Sequence, residues 1–341
     1  MNHSTNEKIV LDHGTGAKLS HELVSLIAEK LGDQHIGEME DSAVLKVPVD
    51  HIAFTTDSFV VTPIFFGNGD IGKIAVCGTV NDLAVSGATP QYLSLSLVLE
   101  EGLDMNDLLR IIESIRKAAE EANVKIAAGD TKVVGKGEVD KIIINTSGIG
   151  YFIHKPLSQY NLEPGDKVIL SGQIGNHSIH ILCARVNLSD SIQQRVVSDC
   201  APLNGMIHEL LENLPTGSIS SIRDVTRGGL CAVLNEFAKS SGKSIYFKQN
   251  KLPISYDTKM ASDMLGLNPI HLANEGCICL FVKPQFEERV LKLLKNHKYG
   301  QHAVTIGYIS EDNSRNVVMF SSDGSKQIIE ELSGRELPRL C

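Results

Sequence analysis

One amphipathic segment, from Asp104 to Asn123, constrains the fold more than any other part of this sequence. Its first turn carries Asp104, a good N-cap residue, and Asp107, whose charge suits the positive end of a helix. Its apolar residues recur at helical spacing and form one stripe: Leu108, Ile111, Ile112, Ile115, Ala118, Ala119 and Ala122. Because an apolar face needs a partner surface, the segment predicts a helix packed on a sheet.

Helix-like and strand-like stretches alternate along the rest of the chain. Apolar spacing predicts further helices at 18–31, 71–86, 203–214, 228–240 and 284–297. Runs rich in β-branched residues predict strands at 43–47, 51–61, 91–98, 124–128, 141–152, 166–171, 277–282 and 303–309. The alternation indicates a mixed α/β or α+β protein.

The length of the chain allows more than one domain, since 341 residues exceed two average domains. The turn-rich segment HKPLSQYNLEPGD, residues 154–166, separates two strongly β-prone runs. We therefore predict a domain boundary there, with one domain over residues 1–155 and a second over 156–331.

The charge balance excludes some classes of partner. Acidic residues number 41 and basic residues 32, which gives a formal net charge of −9, so nucleic acid or an anionic membrane would be repelled. No secretory signal and no apolar run of about 18 residues is visible, which predicts a cytoplasmic location. The 7 cysteines include no C-x-x-C pair, so neither a disulfide framework nor a zinc ribbon is predicted.

The segment GNGDIGKI, residues 67–74, resembles two kinds of phosphate-binding loop. Gly67, Gly69 and Gly72 match the G-x-G-x-x-G spacing, but no acidic residue follows at the offset of about 20 at which dinucleotide folds bind ribose. Ile74 stands where a Walker loop needs a hydroxyl group for magnesium. Both interpretations are therefore disfavoured.

A set of aspartates stands beside small or apolar residues, several at or just past the end of a β-like run. They are Asp41, Asp57, Asp82, Asp130 and Asp224. Taken singly, an aspartate in such a place is usually a cap or turn former. Taken together they suit Mg²⁺, which prefers oxygen ligands and usually bridges to nucleotide phosphates. A convergent set would hold Mg·ATP without a phosphate-binding loop.

Two further pairs of residues allow two interpretations each. Gly14 and Gly16 either let backbone N–H groups approach a phosphate closely or form a flexible N-terminal turn. His177 and His180 can share a helix face, but two histidines without a third ligand favour packing or surface roles. We therefore assign no metal to the histidine pair.

The sequence ends with LSGRELPRLC, residues 332–341. Gly334 loosens this segment and Pro338 opposes a helix, which predicts a mobile tail. Arg335 and Arg339 favour the thiolate of the last residue, whereas the adjacent α-carboxylate opposes it. On these residues alone the thiol is either incidental or a reactive group.

Several segments, in order along almost the whole chain, carry a family resemblance. They are HGTGA (13–17), TTDSFVVTPIFFGNGDIGKIAVCGTVNDLAVSGA (55–88), LEEGL (99–103), GDTKVV (129–134), SDCAPLNG (198–205), RDVTRGGL (223–230), LANEG (272–276) and LSGRELPRLC (332–341). With them the chain resembles the HypE family of hydrogenase maturation factors, which are carbamoyl dehydratases. The carboxylate pattern is shared with aminoimidazole ribonucleotide synthetase, selenophosphate synthetase and thiamine monophosphate kinase, whereas the terminal PRLC separates this family from them.

The resemblance implies a two-domain α+β fold similar to aminoimidazole ribonucleotide synthetase. The N-terminal β-rich domain would bind ATP and metal and pair with a second copy in a homodimer, and the C-terminal α+β domain would complete the nucleotide cleft. A partner carbamoyltransferase would load a carboxamide onto the terminal thiol, and this protein would use ATP and Mg²⁺ to dehydrate it to a thiocyanate. The cyano group would then pass to iron on a scaffold complex.

The resemblance also implies roles for single residues. Cys341 would carry the substrate, while Lys132 and Glu275 are candidates to stabilise developing charge and to accept a proton. The residues implied to bind nucleotide are Gly14, Gly16, Asp57, Asn81, Asp82, Asp130 and Thr131. The implied metal ligands are Asp41, Asp57, Asp82, Asp130 and Asp224. The alternative role for Lys132 and Glu275 is that of structural ion-pair partners.

Four positions depart from the family pattern. Thr15 replaces the usual serine but keeps a hydroxyl group, and Leu340 replaces the common isoleucine. Ala17 stands where many members carry glycine, which predicts a cost of roughly 1 kcal/mol if a positive φ is required there. Val225 replaces the common proline and predicts a looser turn after Asp224, which makes that aspartate a weaker candidate ligand.

Two other functions remain open at this level. A small-molecule synthetase or kinase of the same superfamily would act on a free substrate and would need no terminal thiol. A non-catalytic thiol carrier would bind nucleotide only as a structural ligand, which the aspartate set disfavours.

Overall fold

The structure, a computed structural model, describes residues 8–14, 18–35, 47–185, 195–330 and 340. The α-helices are α1 (Lys18–Leu31), α2 (Ile71–Val85), α3 (Met105–Ala122), α4 (Asn176–Arg185), α5 (Asn204–Asn213), α6 (Gly229–Ser241), α7 (Tyr256–Leu265) and α8 (Glu287–Asn296). The strands are β1 (Ile52–Phe59), β2 (Phe65–Phe66), β3 (Gly69–Asp70), β4 (Ala88–Glu100), β5 (Lys125–Val134), β6 (Ile142–Phe152), β7 (Lys167–Leu170), β8 (Ile219–Asp224), β9 (Ile245–Lys248), β10 (Ile278–Val282), β11 (Val304–Ile309), β12 (Val317–Phe320) and β13 (Lys326–Ile328).

Four strands from the first half of the chain form one sheet in the order β1-β6-β4-β5. β6 pairs antiparallel with both β1 and β4, whereas β4 and β5 are parallel. The predicted amphipathic segment is α3, which begins after its N-cap Asp104 and packs its apolar stripe into the core beneath this sheet. Asn123 ends the helix in the left-handed conformation that asparagine tolerates.

The second half of the chain forms a sheet of seven strands in the order β13-β12-β9-β11-β7-β10-β8. Every residue of β10 is buried, because helices cover both faces of the sheet at this point. Cys279 and Phe281 join the core under α6, whereas Ile278, Leu280 and Val282 join the core under α5 and α8. Two sheets with their own helices give an α+β fold, as the sequence predicts.

Helix α2 lies between the two halves and is apolar nearly all round. Every residue of α2 except Lys73 and Asp82 is buried. Its first turns pack into the core of the first sheet, while Ala84 and Val85 pack into the core of the second. A helix that is apolar on every face belongs inside a protein, and α2 accordingly joins the two cores.

Packing explains the glycines that resemble a phosphate-binding loop. β2 and β3 form a short hairpin around Gly67, and α2 begins directly after it. A Cβ on Gly69 would lie 2.6 Å from the Phe66 ring, and one on Gly72 would lie 2.6 Å from the carbonyl oxygen of Ile111. The glycines are needed for close approach of side chains and helices, in agreement with the rejection of both phosphate-loop interpretations.

The predicted helices and most predicted strands are confirmed with small changes of boundary, apart from residues 43–46 of one strand, which lie outside the described residues. Among the described residues, the sequence prediction missed eight helices and strands: α4, α7, β2, β3, β8, β9, β12 and β13. Within the described part of the chain, no helix has the length and apolarity needed to cross a bilayer.

The packing of α3 predicts a large cost for shortening Leu108, which is fully buried. Leu108→Ala should lower the free energy of unfolding by about 2–5 kcal/mol, because a cavity forms where a rigid sheet and α2 cannot close around it. Urea unfolding followed by circular dichroism measures the change. The exposed Lys117→Ala on the same helix is the control, with a loss of at most about 1 kcal/mol from its ion pair with Glu113. Equal losses in the two variants would contradict the assigned packing.

Candidate active site

A cavity of about 270 Å³ lies between the first sheet and α2 on one side and the turn from β8 to α6 on the other. It brings together four of the acidic residues singled out in the sequence: Asp57, Asp82, Asp224 and Glu275. Two arginines, Arg223 and Arg227, lie on the same wall. The cavity therefore combines carboxylates with cationic groups, which suits a ligand that carries phosphates and a metal ion.

Asp57 and Asp82 face each other across the cavity floor. β1 places Asp57 opposite α2, and Thr55 Oγ1 on the same strand donates a hydrogen bond of 2.9 Å to Asp82 Oδ2. Burial and the charge of Asp57 raise the pKa of Asp82 to about 6. Burial also raises the pKa of Asp57, whereas a hydrogen bond with the Asp82 side chain and the charge of Arg227 lower it and the charge of Asp224 raises it. The two carboxyl groups therefore lie within hydrogen-bonding reach of each other, in a place where burial disfavours the ionisation of both.

Asp224 ends β8 and is 8% exposed. Burial and the charge of Asp82 raise its pKa to about 6. The expectation that Val225 loosens the following turn is wrong, because Val225 is fully buried and its N–H donates to the carbonyl oxygen of Cys277 at 2.9 Å. A proline has no N–H to make this bond. Asp224 is therefore firmly positioned.

Glu275 is 3% exposed, and its position depends on a neighbouring aspartate. The carboxylate of Asp199 accepts the backbone N–H groups of Glu275 and Gly276, both at 3.1 Å. A Cβ on Gly276 would lie 1.8 Å from the carbonyl oxygen of Asp199, so only glycine fits. Burial, with the nearby acidic groups second, raises the pKa of Glu275 well above its ordinary value. No cationic partner forms an ion pair with Glu275 among the contacts of the described residues.

The carboxylates fit a metal ion that is held jointly with a nucleotide. Among the described residues, no three histidine, cysteine or acidic side chains are arranged as a complete metal site. Mg²⁺ usually takes only one or two protein carboxylates together with substrate phosphates. Burial is the largest cause of the raised pKa values of Asp57, Asp82 and Asp224, and a cation bound beside these carboxylates would favour their ionised forms.

Asp130, Thr131 and Lys132 lie away from this cavity. They belong to β5, at the opposite edge of the sheet from β1, so three strand spacings, roughly 14 Å, separate β5 from Asp57. Val133 packs against the core, and since side chains alternate along a strand, Lys132 lies on the open face of the sheet. Lys132 Nζ is 4.0 Å from Asp130 Oδ1, and both side chains are mostly exposed. The structure therefore does not bring Lys132 and Glu275 together within one chain.

Asn81 has a clear structural contact. Its side chain is 3% exposed; Nδ2 donates to the carbonyl oxygen of Ala201 at 3.1 Å, and Oδ1 accepts the N–H of Leu203 at 2.7 Å. These bonds tie α2 to the loop before α5. These structural hydrogen bonds do not test the predicted role of Asn81 in nucleotide binding, which stays a prediction.

The remaining predicted residues lie near the chain ends. Gly14 ends a short 3₁₀ helix, Leu11–Gly14, in which His13 caps the backbone of Val10. Gly16, Asp41 and Cys341 lie outside the described residues.

His177 and His180 are buried on α4, in agreement with the packing interpretation. The Phe66 ring meets both imidazoles edge-on, with centroid distances of 5.7 and 6.0 Å. His177 also contacts the end of the chain, because its Nε2 lies 2.9 Å from the carbonyl oxygen of Leu340. Leu340 itself is 7% exposed and belongs to the core of the first half.

The sequence reasoning missed several residues that build the site. Arg223 and Arg227 line the cavity, and Asp199 holds the backbone of Glu275. All three lie in segments that carry the family resemblance, so a test of every charged residue within those segments would have found them. The contact of His177 with Leu340 joins residues 163 positions apart, and no local pattern indicates it.

Family models and relatives agree with this fold. Residues 39–152 match the model of AIR synthase related protein, N-terminal domain, and residues 163–319 match that of its C-terminal domain. The carbamoyl dehydratase HypE of Azotobacter vinelandii is 37% identical over 340 residues, which cover 98% of each chain.

Solved structures of the same family superpose closely. The crystal structure of the hydrogenase maturation protein HypE in complex with ATP has a TM-score of 0.92 and 39% identity, and the match covers 97% of this chain and 99% of the other. A chain of the HypE–HypF complex has a TM-score of 0.79 and 41% identity, with 93% and 100% covered. This chain therefore belongs to the HypE family of carbamoyl dehydratases.

Proposed function

We propose that this protein acts in [NiFe]-hydrogenase maturation, where it uses ATP to dehydrate an S-carboxamide on its own Cys341 to a thiocyanate, the source of the cyanide ligands of iron. The observation that carries the proposal is the position of Leu340, the residue before Cys341, which is buried and bonded to His177. His177 in turn contacts Ser198, and the next residue, Asp199, holds Glu275. The residue before the terminal cysteine is thus linked, through His177 and Ser198, to the loop that holds Glu275 at the aspartate-lined cavity.

The reaction needs an activated oxygen and a base. An amide oxygen is a poor leaving group, so the S–C(=O)–NH₂ oxygen takes a phosphoryl group from ATP and one N–H proton is lost, giving S–C(=NH)–O–phosphate and ADP. Loss of the second N–H proton then forms the nitrile as the C–O bond breaks and phosphate leaves. In sum the carboxamide loses the elements of water, which end in ADP and phosphate. Two proton removals call for a base close to the docked tail.

Glu275 suits the role of that base. A carboxylate with a raised pKa is a stronger base once it has lost its proton, and burial excludes water that would hydrolyse the phosphorylated amide. The charged groups that enter with Mg·ATP would favour the ionised form. The neighbouring Asp199 fixes the backbone at Glu275 and so sets where its carboxyl group can reach.

Asp57, Asp82 and Asp224 suit a metal ion that bridges to the phosphates of ATP, and Arg223 and Arg227 suit the phosphates themselves. A relative with 39% identity and nearly the same fold is known in complex with ATP, which supports ATP as the nucleotide. When bound, Mg²⁺ would neutralise charge on the transferring phosphoryl group.

A homodimer would resolve the separation of Lys132 from Glu275. The open face of the first sheet ends at edge strand β1, where Ile52 and Phe54 are 45% and 66% exposed. Asp130 and Lys132 lie on that same open face. We infer that a second copy covers this face, so that Asp130, Thr131 and Lys132 can reach the site of a neighbouring chain rather than their own.

Two further partners fit this function. A solved complex of a relative with HypF supports a carbamoyltransferase as the donor, and an iron-binding scaffold complex would accept the cyano group. A domain boundary at 155/156 and a tail from residue 332 would let one thiol visit both partners and its own cleft. The expected cytoplasmic location suits a thiol that must stay reduced.

The first prediction concerns Cys341. After incubation with the carbamoyltransferase, carbamoyl phosphate and ATP, the natural protein should gain the mass of a carboxamide and then lose one water. Cys341→Ser should show neither change while it still binds ATP, because a serine oxygen is a far weaker nucleophile than a thiolate. Cys183→Ala, which removes a buried thiol, is the control. Normal mass changes in Cys341→Ser would refute the proposal.

The second prediction separates loading from dehydration. Glu275→Gln keeps the shape of the side chain but cannot accept a proton, so the carboxamide should form and persist, with the dehydration rate lowered about 10²-fold or more. Single-turnover mass spectrometry measures both steps. The surface variant Glu212→Gln, whose carboxyl group lies 3.1 Å from His154 and outside the cavity, is the control. An unchanged rate in Glu275→Gln would assign the base elsewhere.

The third prediction tests whether ionisation of Asp82 lowers the free energy of unfolding of the free protein. The pKa of Asp82 is raised from 3.8 to about 6, so its ionisation destabilises the free protein as the pH rises through that interval. Asp82→Asn should therefore raise the free energy of unfolding at pH 7.5, by up to about 2 kcal/mol, and leave it nearly unchanged at pH 4. The same variant should bind Mg·ATP at least tenfold more weakly by calorimetry. Lower stability at pH 7.5 together with natural Mg·ATP affinity would contradict both parts.

A further inference from the structure

A chain of hydrogen bonds leads from the backbone of Cys200 to the end of the polypeptide. The N–H of Cys200 donates to Ser198 Oγ at 3.2 Å, Ser198 Oγ lies 2.8 Å from His177 Nδ1, and His177 Nε2 lies 2.9 Å from the carbonyl oxygen of Leu340. His177 is fully buried. Every polar atom of its ring therefore has a partner.

The direction of each bond follows from the groups involved. A carbonyl oxygen only accepts, so His177 Nε2 must carry the hydrogen that Leu340 receives. Ser198 Oγ accepts from a backbone N–H and turns its own hydrogen towards His177 Nδ1. Ser198 thus fixes the imidazole in the tautomer that can donate to the tail.

The imidazole is also held neutral. Burial, aided by His180, lowers the pKa of His177 to about 4, so the ring donates one hydrogen and accepts one at any pH near neutrality. The Phe66 ring packs edge-on against the imidazole at 5.7 Å and limits its rotation. His177 is therefore an oriented, neutral donor to the tail.

Leu340 supplies the apolar part of the same contact. Its side chain joins a core that includes Ile181 of α4 together with Cys200 and Ala273. The carbonyl oxygen of Ala273 accepts from Ser178, the neighbour of His177, at 2.8 Å. The residue before the terminal cysteine is thus held by a hydrogen bond to its carbonyl and by burial of its side chain.

We propose that His177, oriented by Ser198, is a positioning residue that docks the peptide of Leu340 and thereby places the Cys341 thiol for dehydration. Cys341 follows Leu340 directly in the sequence, so a contact that holds the Leu340 peptide limits how far the terminal thiol can reach. This inference rests on the proposed function only for the reaction that the docked thiol undergoes. The docking itself is a property of the free protein.

Docking can be measured without any reaction of the carboxamide. We expect docking of Leu340 to shield the adjacent thiol from iodoacetamide, so the alkylation rate at Cys341, followed by peptide mapping, should report the released fraction. His177→Phe keeps a ring of similar size but removes the donor, and loss of one buried hydrogen bond should raise the rate about tenfold. His177→Gln places an N–H near the position of Nε2 and should restore most of the natural rate.

His180→Phe is the matched control. His180 lies three residues further on α4, is 6% exposed and contacts the carbonyl oxygen of Val196 at 2.6 Å rather than the tail. It should leave the alkylation rate at its natural value. Ser198→Ala keeps the His177 imidazole but no longer fixes which ring nitrogen carries the hydrogen, so it should raise the alkylation rate by less than His177→Phe does. If His177→Phe does not fold, Ser198→Ala replaces it as the test. Thermal melting confirms that each variant is folded.

A second readout links docking to catalysis. In single turnover of the carbamoylated protein, His177→Phe should lower the dehydration rate about tenfold while the Kd for ATP and the rate of carboxamide loading stay unchanged. Equal alkylation rates in natural protein and folded His177→Phe would overturn the inference, whatever the dehydration rate. Faster alkylation in His177→Phe with no dehydration even by the natural protein would uphold docking and refute the proposed function instead.

Discussion

The burial of α2 between two sheets is the constraint on which the rest of the structure depends. All residues of this apolar helix except Lys73 and Asp82 are buried, so the helix must be covered on all sides. Two sheets from different halves of the chain cover it. Asn81 then ties the helix to the loop before α5 through both polar atoms of its amide. The cavity lies where the packing of α2 between the two halves leaves Asp82 partly exposed. The walls of the cavity therefore come from both halves of the chain.

The same packing of α2 explains why acidic groups can be crowded there. Burial raises the pKa values of Asp57, Asp82 and Asp224, and the charge of Asp57 adds to the effect on Asp82, as that of Asp82 does on Asp224. The crowding costs stability whenever all three are ionised. Residues that repel one another persist only where the surrounding packing fixes them, and the joined cores supply that rigidity. A cation held with a phosphate ligand reverses the sign of the interaction. The strain of the free site and its affinity for such a ligand thus have one cause.

Sequence periodicity predicted the elements whose polar and apolar faces are distinct, and it failed where they are not. α3 was predicted correctly because its apolar stripe is continuous. α4 was missed because His177, Ser178 and His180 are buried polar residues, which hide its inward face. β8 was missed for the same reason, since Ser220 and Ser221 are buried beside isoleucines. Buried hydroxyl and imidazole groups are satisfied by distant partners, and a local pattern contains no trace of those partners.

The site shows the same division between local and distant information. Asp57, Asp82, Asp224 and Glu275 do converge, because β1 and β8 both contact α2, which carries Asp82, and Glu275 lies just before β10, the neighbour of β8. The separation of Asp130 and Lys132 from them depends on which edge β5 occupies and which face its side chains take. Strand order is a property of the whole fold. Sequence motifs can therefore identify Asp130 and Lys132 as candidate site residues without showing that they lie away from the cavity.

The loop from Ser198 to Cys200 connects the acid and the tail more directly than any other segment. Ser198 orients His177, Asp199 holds the backbone of Glu275, and the N–H of Cys200 completes the hydrogen bonding of Ser198. Asn68, in the hairpin before α2, donates to the carbonyl oxygen of Ser198 at 2.8 Å and anchors the loop to the first half. Because three consecutive residues position the chain end and the candidate base together, a shift of this loop would move both at once. Their relative geometry is therefore set by one short, well-bonded segment rather than by the alignment of two independent ones.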